Sequence, residues 1–231
     1  MRVARLHPFD LPRKDALRLQ SWLAAKVVEK GPLPRRLRLV AGLDCAVDRA
    51  GHVHGVVVAC AAPDWHVVET VSASAPALMP YVSGLLSFRE APILLDALRK
   101  LRSKPDLLLV DGQGIAHPRG LGLAAHLGLH VSVPVVGVAK SRLCGTHAKP
   151  GKKRGDWVEL LLHGRRIGVV LTTQDGAQPL YVSVGNRVAL MPAARRVLET
   201  ATRFRLPEPI RHADALSRRL ARAAAVPQPA G

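Results

Sequence analysis

Three acidic residues stand at points of the sequence where a carboxylate could take part in chemistry. Asp44 lies within the apolar segment AGLDCAVD, Glu90 opens the amphipathic segment REAPILLDALRKLRSK, and Asp111 directly follows the apolar run Leu107 to Val110. An unpaired charge buried at the end of a core strand is costly, so a neutralising partner is expected. Carboxylate oxygens suit Mg²⁺ or Mn²⁺, and the three acids would form a metal site if they converge.

Each acid taken alone has a simpler interpretation. A carboxylate after a strand often caps a turn, and Glu90 could merely favour a helix N-terminus. The metal hypothesis therefore depends on tertiary structure. Asp44 and Asp111 would meet if their strands are neighbours in one sheet, and the start of the helix would then bring Glu90 to the same place.

Two glycines directly after Asp111 resemble the start of a dinucleotide-binding turn. Gly112 and Gly114 flank Gln113, but His117 stands where the third glycine of G-x-G-x-x-G would be. The acid also precedes the turn instead of following it by about 20 residues. A dinucleotide is therefore disfavoured, and the glycines either let the backbone approach a ligand closely or adopt positive φ in a turn.

The charge of the chain indicates a polyanionic partner. Its 231 residues include 34 Lys and Arg against 17 Asp and Glu, a formal net charge of +17. Nucleic acid is the expected partner, and the alternative is a basic composition that serves only solubility. No apolar run reaches the roughly 18 residues of a membrane span, and neither a signal peptide nor C-x-x-C spacing is found. These features predict a cytoplasmic protein that binds no membrane, and the three cysteines indicate neither a disulfide framework nor a zinc site.

The periodicity of apolar residues predicts one α/β domain with a mixed sheet over residues 1–222, followed by a flexible tail at 223–231. A helix is expected from Pro12 to about Glu29, with Asp10 as its cap. An antiparallel meander follows, and from Phe88 alternating helices and strands favour parallel strands with crossover helices. The chain is long enough to fold alone, and we expect a monomer. The predicted strands are RLRLVAGLDCAVD, HVHGVVVACAAPD, HVVETVSASAP, residues 107–110, VPVVGVAK, WVELLLHG, RIGVVLTT and QPLYVSVGNRVAL, and the later helices lie near 120–128, 192–203 and 211–224.

Five blocks of sequence, in this order and spacing, resemble the endonuclease V family of deoxyinosine 3′ endonucleases. The resemblance runs from about Leu11 to Ala221. It implies a ribonuclease H-like fold with a mixed five-stranded sheet flanked by helices. It also implies Mg²⁺-dependent hydrolysis of the second phosphodiester bond 3′ to deoxyinosine in DNA, with Mn²⁺ able to substitute. The blocks are AGLDCAVD, PYVSGLLSFREAP, LLLVDGQGIAHPRGLGLAAHLG, VVGVAKSRLCG and LPEPIRHADALSR.

The resemblance implies catalytic roles for six residues. Asp44, Glu90 and Asp111 would hold the metal. His117 would position or protonate groups around the scissile phosphate, and Lys140 would stabilise phosphate charge or orient the attacking water. Taken alone, Lys140 would be interpreted as a solvated lysine after a strand. The six residues are Asp44, Glu90, Asp111, His117, Lys140 and Asp214.

The segment PYVSG matches the family's wedge, which enters the duplex as the damaged base leaves it. Pro80 and Tyr81 match its tip, and the ring would fill the gap left by the extruded base. Val82 and Ser83 replace the family's usual Ile-Pro, which implies a less rigid tip. Asn186 departs from the usual histidine in a later loop. Without the resemblance, PYVSG would be a surface turn.

The resemblance also implies a hypoxanthine pocket built largely from backbone. Fixed donors and acceptors in a tight pocket would reject guanine and adenine. The same positions could equally belong to the core or to turns. They are Leu86, Gly114, Leu123, Gly137 and Leu143.

Three functions remain open from the sequence. The first is the DNA repair endonuclease, the second is an endoribonuclease that cuts RNA at inosine, and the third is a nucleic-acid-binding module without catalysis. The set of acids disfavours the third, because carboxylates repel phosphate and add nothing to simple binding. DNA and RNA would be told apart by contacts to the 2′-hydroxyl.

Overall fold

The computed structural model describes residues 1–224 as five helices around one eight-stranded sheet. The strands are β1 (Leu39–Val47), β2 (His52–Ala61), β3 (His66–Pro76), β4 (Leu107–Val110), β5 (Val135–Ala139), β6 (Trp157–Leu162), β7 (Arg165–Leu171) and β8 (Leu180–Asn186). The helices are α1 (Arg13–Ala24), α2 (Leu86–Lys100), α3 (Leu123–His130), α4 (Leu190–Thr200) and α5 (Glu208–Ala223). Most of the predicted tail, residues 225–231, lies outside the described residues, and Ala223 is still helical.

The sheet is mixed, as predicted, and its strand order is β3-β2-β1-β4-β5-β8-β7-β6. Antiparallel pairing of β1 with β2 and of β2 with β3 confirms the meander. Strands β1, β4 and β5 are parallel neighbours. The eight strands predicted from the periodicity are confirmed, whereas the five-stranded sheet implied by the resemblance is too small, because β8, β7 and β6 continue the sheet antiparallel beyond β5. Strands β7 and β8 are buried along most of their length, and half-exposed β6 forms the edge of the sheet.

Two helix boundaries differ from the prediction. Helix α1 ends at Ala24 instead of Glu29, and it follows Pro12 with no side-chain cap, so Asp10 does not cap it. Helix α2 begins at Leu86, which puts Glu90 in its second turn instead of at its start. Because Phe88 is fully buried, packing extends α2 upstream of the predicted beginning.

Strand β4 explains how the helices are arranged in layers. Its alternate residues enter two different cores: Leu107 and Leu109 belong to one, and Leu108 and Val110 to the other. Residues of α4 and α5 fill the first core, and residues of α2 and α3 fill the second. A strand buried on both faces reads as a continuous apolar run, which is what the sequence shows at this point.

Helix α5 lies unusually close to the central strand β1. A Cβ atom added at Gly42 would lie 2.1 Å from the carbonyl carbon of Pro209, in the first turn of α5. Only glycine permits this approach. The contact brings the middle of α5 over the end of β1. None of the helices in residues 1–224 is both long and apolar enough to cross a membrane.

Candidate active site

Three carboxylates meet where β4 ends beside β1. Leu43 of β1 pairs with Val110 of β4 in parallel register, so the next residues, Asp44 and Asp111, lie side by side. The Asp111 backbone N–H donates to the Leu43 carbonyl at 2.9 Å. Helix α5 contributes Asp214, and each of the three residues offers an oxygen within 4.8 Å of the others. We call Asp44, Asp111 and Asp214 the carboxylate cluster.

Lys140 and Ser217 bind the carboxylate cluster. Lys140 follows β5, the parallel neighbour of β4, and its Nζ lies 2.5 Å from Asp111 Oδ2. The same ammonium group also donates to Asp214. The Ser217 hydroxyl, one turn beyond Asp214 on α5, donates to Asp44. A cation thus already lies among the acids, and one acid is oriented by a neutral donor.

Two carboxylates of the cluster are shifted towards their neutral forms, although Lys140 and Arg218 both form ion pairs with its acids. Burial raises the pKa of Asp44 to about 7, and repulsion from Asp111 adds to the effect. Burial also raises the pKa of Asp111, although Lys140 opposes the shift. Burial alone would lower the pKa of Lys140, but Asp111 and Asp214 outweigh it, so the ammonium stays charged. A divalent cation would relieve the remaining repulsion.

Glu90 stands beside the carboxylate cluster and is not one of its three members. Burial raises its pKa to about 8, and the charges of Asp44 and Asp111 contribute to this shift. Among residues 1–224, the acid that joins Asp44 and Asp111 within ligand distance is Asp214. Asp214 therefore joins the two predicted ligands Asp44 and Asp111, and the metal role of Glu90 stays a prediction.

A pocket opens between the wedge segment and the glycine turn, and we call it the Tyr81 pocket. Tyr81 stands at its mouth with 68% of its surface exposed. Pro80 beside it is also exposed. The walls combine leucine side chains with a few polar groups, as in a site that holds a flat, largely apolar ligand. The lining residues used below are Leu86, Gln113, His117, Leu123 and Leu143.

The wedge segment is anchored at Gly84. Its carbonyl accepts hydrogen bonds from Gln20 Nε2 at 2.9 Å, Arg119 Nη2 at 2.8 Å and His117 Nε2 at 3.1 Å. Gly84 has φ +78°, and a Cβ atom there would lie 2.5 Å from Arg119 Nη2. Burial lowers the pKa of His117 to about 4, so the ring is neutral at neutral pH. The structure thus places His117 at the base of the wedge, where it holds the backbone.

Gly114 and Gly137, which the resemblance assigns to the base pocket, are positions of close backbone contact. A Cβ atom at Gly114 would lie 2.0 Å from the Val184 carbonyl oxygen, and one at Gly137 would lie 2.4 Å from the Gly114 nitrogen. Gly137 lets β5 approach the turn at Gly112–Gly114, and Gly114 lets the same turn approach β8. Gln113, between Gly112 and Gly114, lines the Tyr81 pocket instead. Its Nε2 donates to the Ser141 carbonyl at 2.9 Å, whereas its buried Oε1 has no partner among the described residues.

Sequence reasoning missed the residues that hold the site in place. Gln20 is fully buried, yet the apolar spacing of its helix predicts burial only for neighbouring apolar residues. Ser217 had a readable signal, because it follows Asp214 by three residues and so shares a helix face with it. The departure at Asn186 has a structural role: its side chain accepts from the Val28 N–H at 2.8 Å and donates to the Gly128 carbonyl at 2.6 Å.

The mixed sheet, with acids side by side on two adjacent parallel strands, defines the chain as an α/β protein of the ribonuclease H-like class. The family model described as Endonuclease V matches residues 21–215. A relative from Alkalilimnicola ehrlichii, also an endonuclease V, is 48% identical over 216 residues, covering 93% of this chain and 95% of that protein. The chain belongs to the endonuclease V family, which is a family of nucleases.

Solved structures agree with this assignment. The crystal structure of endonuclease V from Streptomyces avermitilis is 37% identical, with a TM-score of 0.88 over 98% of this chain and 100% of that chain. Endonuclease V of Ciona intestinalis was solved in complex with a 23mer DNA containing an inosine followed by a ribo-adenosine. It is 23% identical, with a TM-score of 0.81 over 93% of this chain and 100% of that chain, and it shares the fold.

Proposed function

We propose that the protein is a Mg²⁺-dependent DNA repair endonuclease that recognises deoxyinosine. It hydrolyses the second phosphodiester bond 3′ to the lesion and leaves 3′-hydroxyl and 5′-phosphate ends. The observation that carries the proposal is the convergence of Asp44, Asp111 and Asp214 around Lys140. Family membership and the formal net charge of +17 support it. The substrate follows from the resemblance, and inosine-containing DNA is also the ligand of the Ciona intestinalis relative.

The carboxylate cluster fits a divalent cation. It offers three hard oxygen donors from rigid elements, and the raised pKa values of Asp44 and Asp111 reflect charge that a cation would neutralise. Glu90, which the resemblance also assigns to the metal, lies close enough to Asp44 and Asp111 for their charges to raise its pKa. When bound, Mg²⁺ or Mn²⁺ supplies Lewis-acid activation of the phosphate and makes water a stronger nucleophile.

Lys140 acts at the phosphate, and the wedge acts at the extruded base. The charged Lys140 ammonium group lies among the acids, where it stabilises negative charge that develops on the phosphate or orients the attacking water. Tyr81 fills the gap that base extrusion leaves in the duplex. His117, neutral and hydrogen-bonded to the Gly84 carbonyl, positions the wedge.

The Tyr81 pocket supplies base recognition. Leu86, Leu123 and Leu143 pack against a flat base, and Gln113 supplies an acceptor through its buried Oε1, which has no partner within residues 1–224. Hypoxanthine carries a donor at N1 that matches this acceptor, whereas adenine presents a lone pair there. A buried acceptor facing a lone pair is strongly unfavourable, so Gln113 favours the deaminated base.

Cleavage of matched oligonucleotides tests the proposal. Duplexes with one deoxyinosine or one deoxyadenosine at the same position, and an RNA with one inosine, are incubated with and without Mg²⁺. We expect cleavage only of the deoxyinosine duplex and only with Mg²⁺. The cut should lie at the second phosphodiester bond 3′ to the lesion. Preferred cleavage of the RNA would replace the assignment as a DNA endonuclease by that of an endoribonuclease. Binding without cleavage, both with and without Mg²⁺, would indicate a nucleic-acid-binding module.

A further inference from the structure

A second group of titratable side chains lies outside the carboxylate cluster. His126 and His130 are one turn apart on α3, and His7 reaches them from the segment before α1. Each of the three rings offers a nitrogen within 4.8 Å of the others. His126 and His130 are buried, and His7 is partly exposed. We call these residues the histidine cluster.

The Nδ1 atoms of the histidine cluster all point to oxygen atoms outside it. His7 Nδ1 lies 2.8 Å from the Pro8 carbonyl, and His130 Nδ1 lies 3.0 Å from the Ala4 carbonyl, although the Leu6 N–H also lies 3.2 Å from the latter nitrogen. His126 Nδ1 lies 2.9 Å from the Ser87 hydroxyl. Metal-ligating histidines are usually held in this way, with the second ring nitrogen bonded to an oxygen.

The Nε2 atoms point at one another. His7 Nε2 lies 2.8 Å from His126 Nε2 and 3.2 Å from His130 Nε2. A carbonyl oxygen only accepts, so the proton of neutral His7 sits on Nδ1 and its Nε2 carries a lone pair that faces both other rings. His130 Nδ1 faces both a carbonyl and the Leu6 N–H, so either of its nitrogens can carry the proton. With the Nε2 atoms of all three rings deprotonated, their lone pairs converge on one point, where a cation can bind.

The surroundings favour the neutral rings that metals bind. Burial lowers the pKa of all three histidines, and that of His130 falls to about 4. The rings of Phe9 and Phe88 pack against the cluster and exclude water from it. His7, the partly exposed member, leaves a route of entry from the surface.

We propose that His7, His126 and His130 bind one transition-metal ion through Nε2, with Zn²⁺ as the representative ion. Imidazole nitrogens suit Zn²⁺, Cu²⁺ and Ni²⁺, whereas the oxygen donors of the carboxylate cluster suit Mg²⁺ and Mn²⁺. Three histidines leave the fourth tetrahedral position for water. The site ties the N-terminal segment to α3 and, through Ser87, to the first turn of α2, where Leu86 lines the Tyr81 pocket. This site is independent of the proposed nuclease activity.

Zinc titration of the full chain tests the site. The protein is stripped with a chelator and kept in excess Mg²⁺, so that the carboxylate cluster is occupied, and Zn²⁺ is then added while heat of binding and thermal midpoint are measured. At about 100 times the dissociation constant, we expect the midpoint to rise by roughly 5–10 °C. Calorimetry should show one zinc per chain.

Two variants assign the binding to the histidine cluster. In His7→Asn and His130→Asn, the amide group of the new side chain can still donate to the carbonyl that Nδ1 faces, but Nε2 is lost. Both variants should therefore lose the zinc-dependent rise in thermal midpoint. His66→Ala, which removes an exposed histidine on β3, should keep it. Should His130→Asn fail to fold in chelator, the more exposed His7→Asn decides.

Three results would overturn the proposal. One is a wild-type chain that shows no zinc binding in excess Mg²⁺. Another is an equal zinc response in the wild type and in both Asn variants, which would put the zinc elsewhere. The third is that both Asn variants are less stable than the wild type in chelator while zinc does not stabilise the wild type. The three rings would then be held together by a shared proton and not by a metal.

Discussion

The carboxylate cluster and the Tyr81 pocket are assembled in different ways. In the cluster, Asp44 and Asp111 come from adjacent strands whose register fixes them side by side. The pocket is assembled from the wedge turn, the glycine turn and α1, and one carbonyl, that of Gly84, joins all three through its donors. The proposed function therefore assigns chemistry to the rigid sheet and recognition to anchored loops. The two regions should fail differently when they are mutated.

The largest effect is expected from Asp111→Asn. The change removes a formal charge from the carboxylate cluster but leaves the size of the side chain, and Lys140 keeps Asp214 as a partner. Cleavage of the deoxyinosine duplex should fall by at least about three orders of magnitude, the scale of several kcal/mol of lost transition-state stabilisation. Affinity measured in Ca²⁺ should stay within a few-fold.

The matched control is Asp10→Asn, at an exposed acid, which should cleave normally. Near-normal turnover of Asp111→Asn in saturating Mg²⁺ would remove Asp111 from the catalytic assignment. It would also abolish the distinction between a chemical region and a recognition region.

The next effect is expected from Tyr81→Ala, in the pocket. The ring is 68% exposed, so its loss should not disturb folding. Stacking of a ring on a base contributes roughly 1–3 kcal/mol, so affinity for the deoxyinosine duplex should fall by about 10–100-fold. Affinity for the undamaged duplex should change much less, since phosphate contacts remain.

Fluorescence anisotropy in Ca²⁺ gives both affinities, with Trp157→Ala on edge strand β6 as an exposed aromatic control. Equal losses on the two duplexes, or none on either, would show that Tyr81 is an ordinary surface residue of the turn.

The same contrast separates what could be predicted from the sequence from what could not. Local patterns predicted β1 and β4 and the meander, and adjacent parallel strands are enough to bring Asp44 and Asp111 together. Asp214 reaches them because Gly42 admits α5 against β1, a contact between residues about 170 apart that no local pattern encodes. Similarly, nothing local links Gln20 to Gly84, so the anchor of the pocket could not be predicted.

A third prediction concerns stability, and it distinguishes the charged region from the rest of the core. The pKa of Asp44 is raised to about 7 by burial and by Asp111, so the folded chain loses stability as pH rises from the unfolded value near 4 through 7. Asp44→Asn removes this penalty, and the Ser217 hydroxyl can donate to the amide oxygen instead.

In chelator at pH 8, Asp44→Asn should therefore unfold with a free energy about 2 kcal/mol higher than the wild type, and the gain should vanish near pH 4. Denaturant titrations at the two pH values measure it, with Asp10→Asn as the control. A variant less stable than the wild type at pH 8 would mean that Lys140 fully compensates the cluster.

The smallest effect should come from Gln113→Leu, which tests how the pocket reads the base. If Oε1 accepts from N1–H of hypoxanthine, its removal should reduce the preference for deoxyinosine over deoxyadenosine by roughly 10-fold, about the free energy of one hydrogen bond.

Gln113→Glu keeps an acceptor but loses the donor to Ser141, so it should retain more of the preference than Gln113→Leu. If the side chain only braced Ser141, the two variants would behave alike. Gln174→Leu, at an exposed glutamine, is the control. Both affinities are measured in Ca²⁺, and an unchanged preference in Gln113→Leu would leave discrimination to the backbone and the leucine walls.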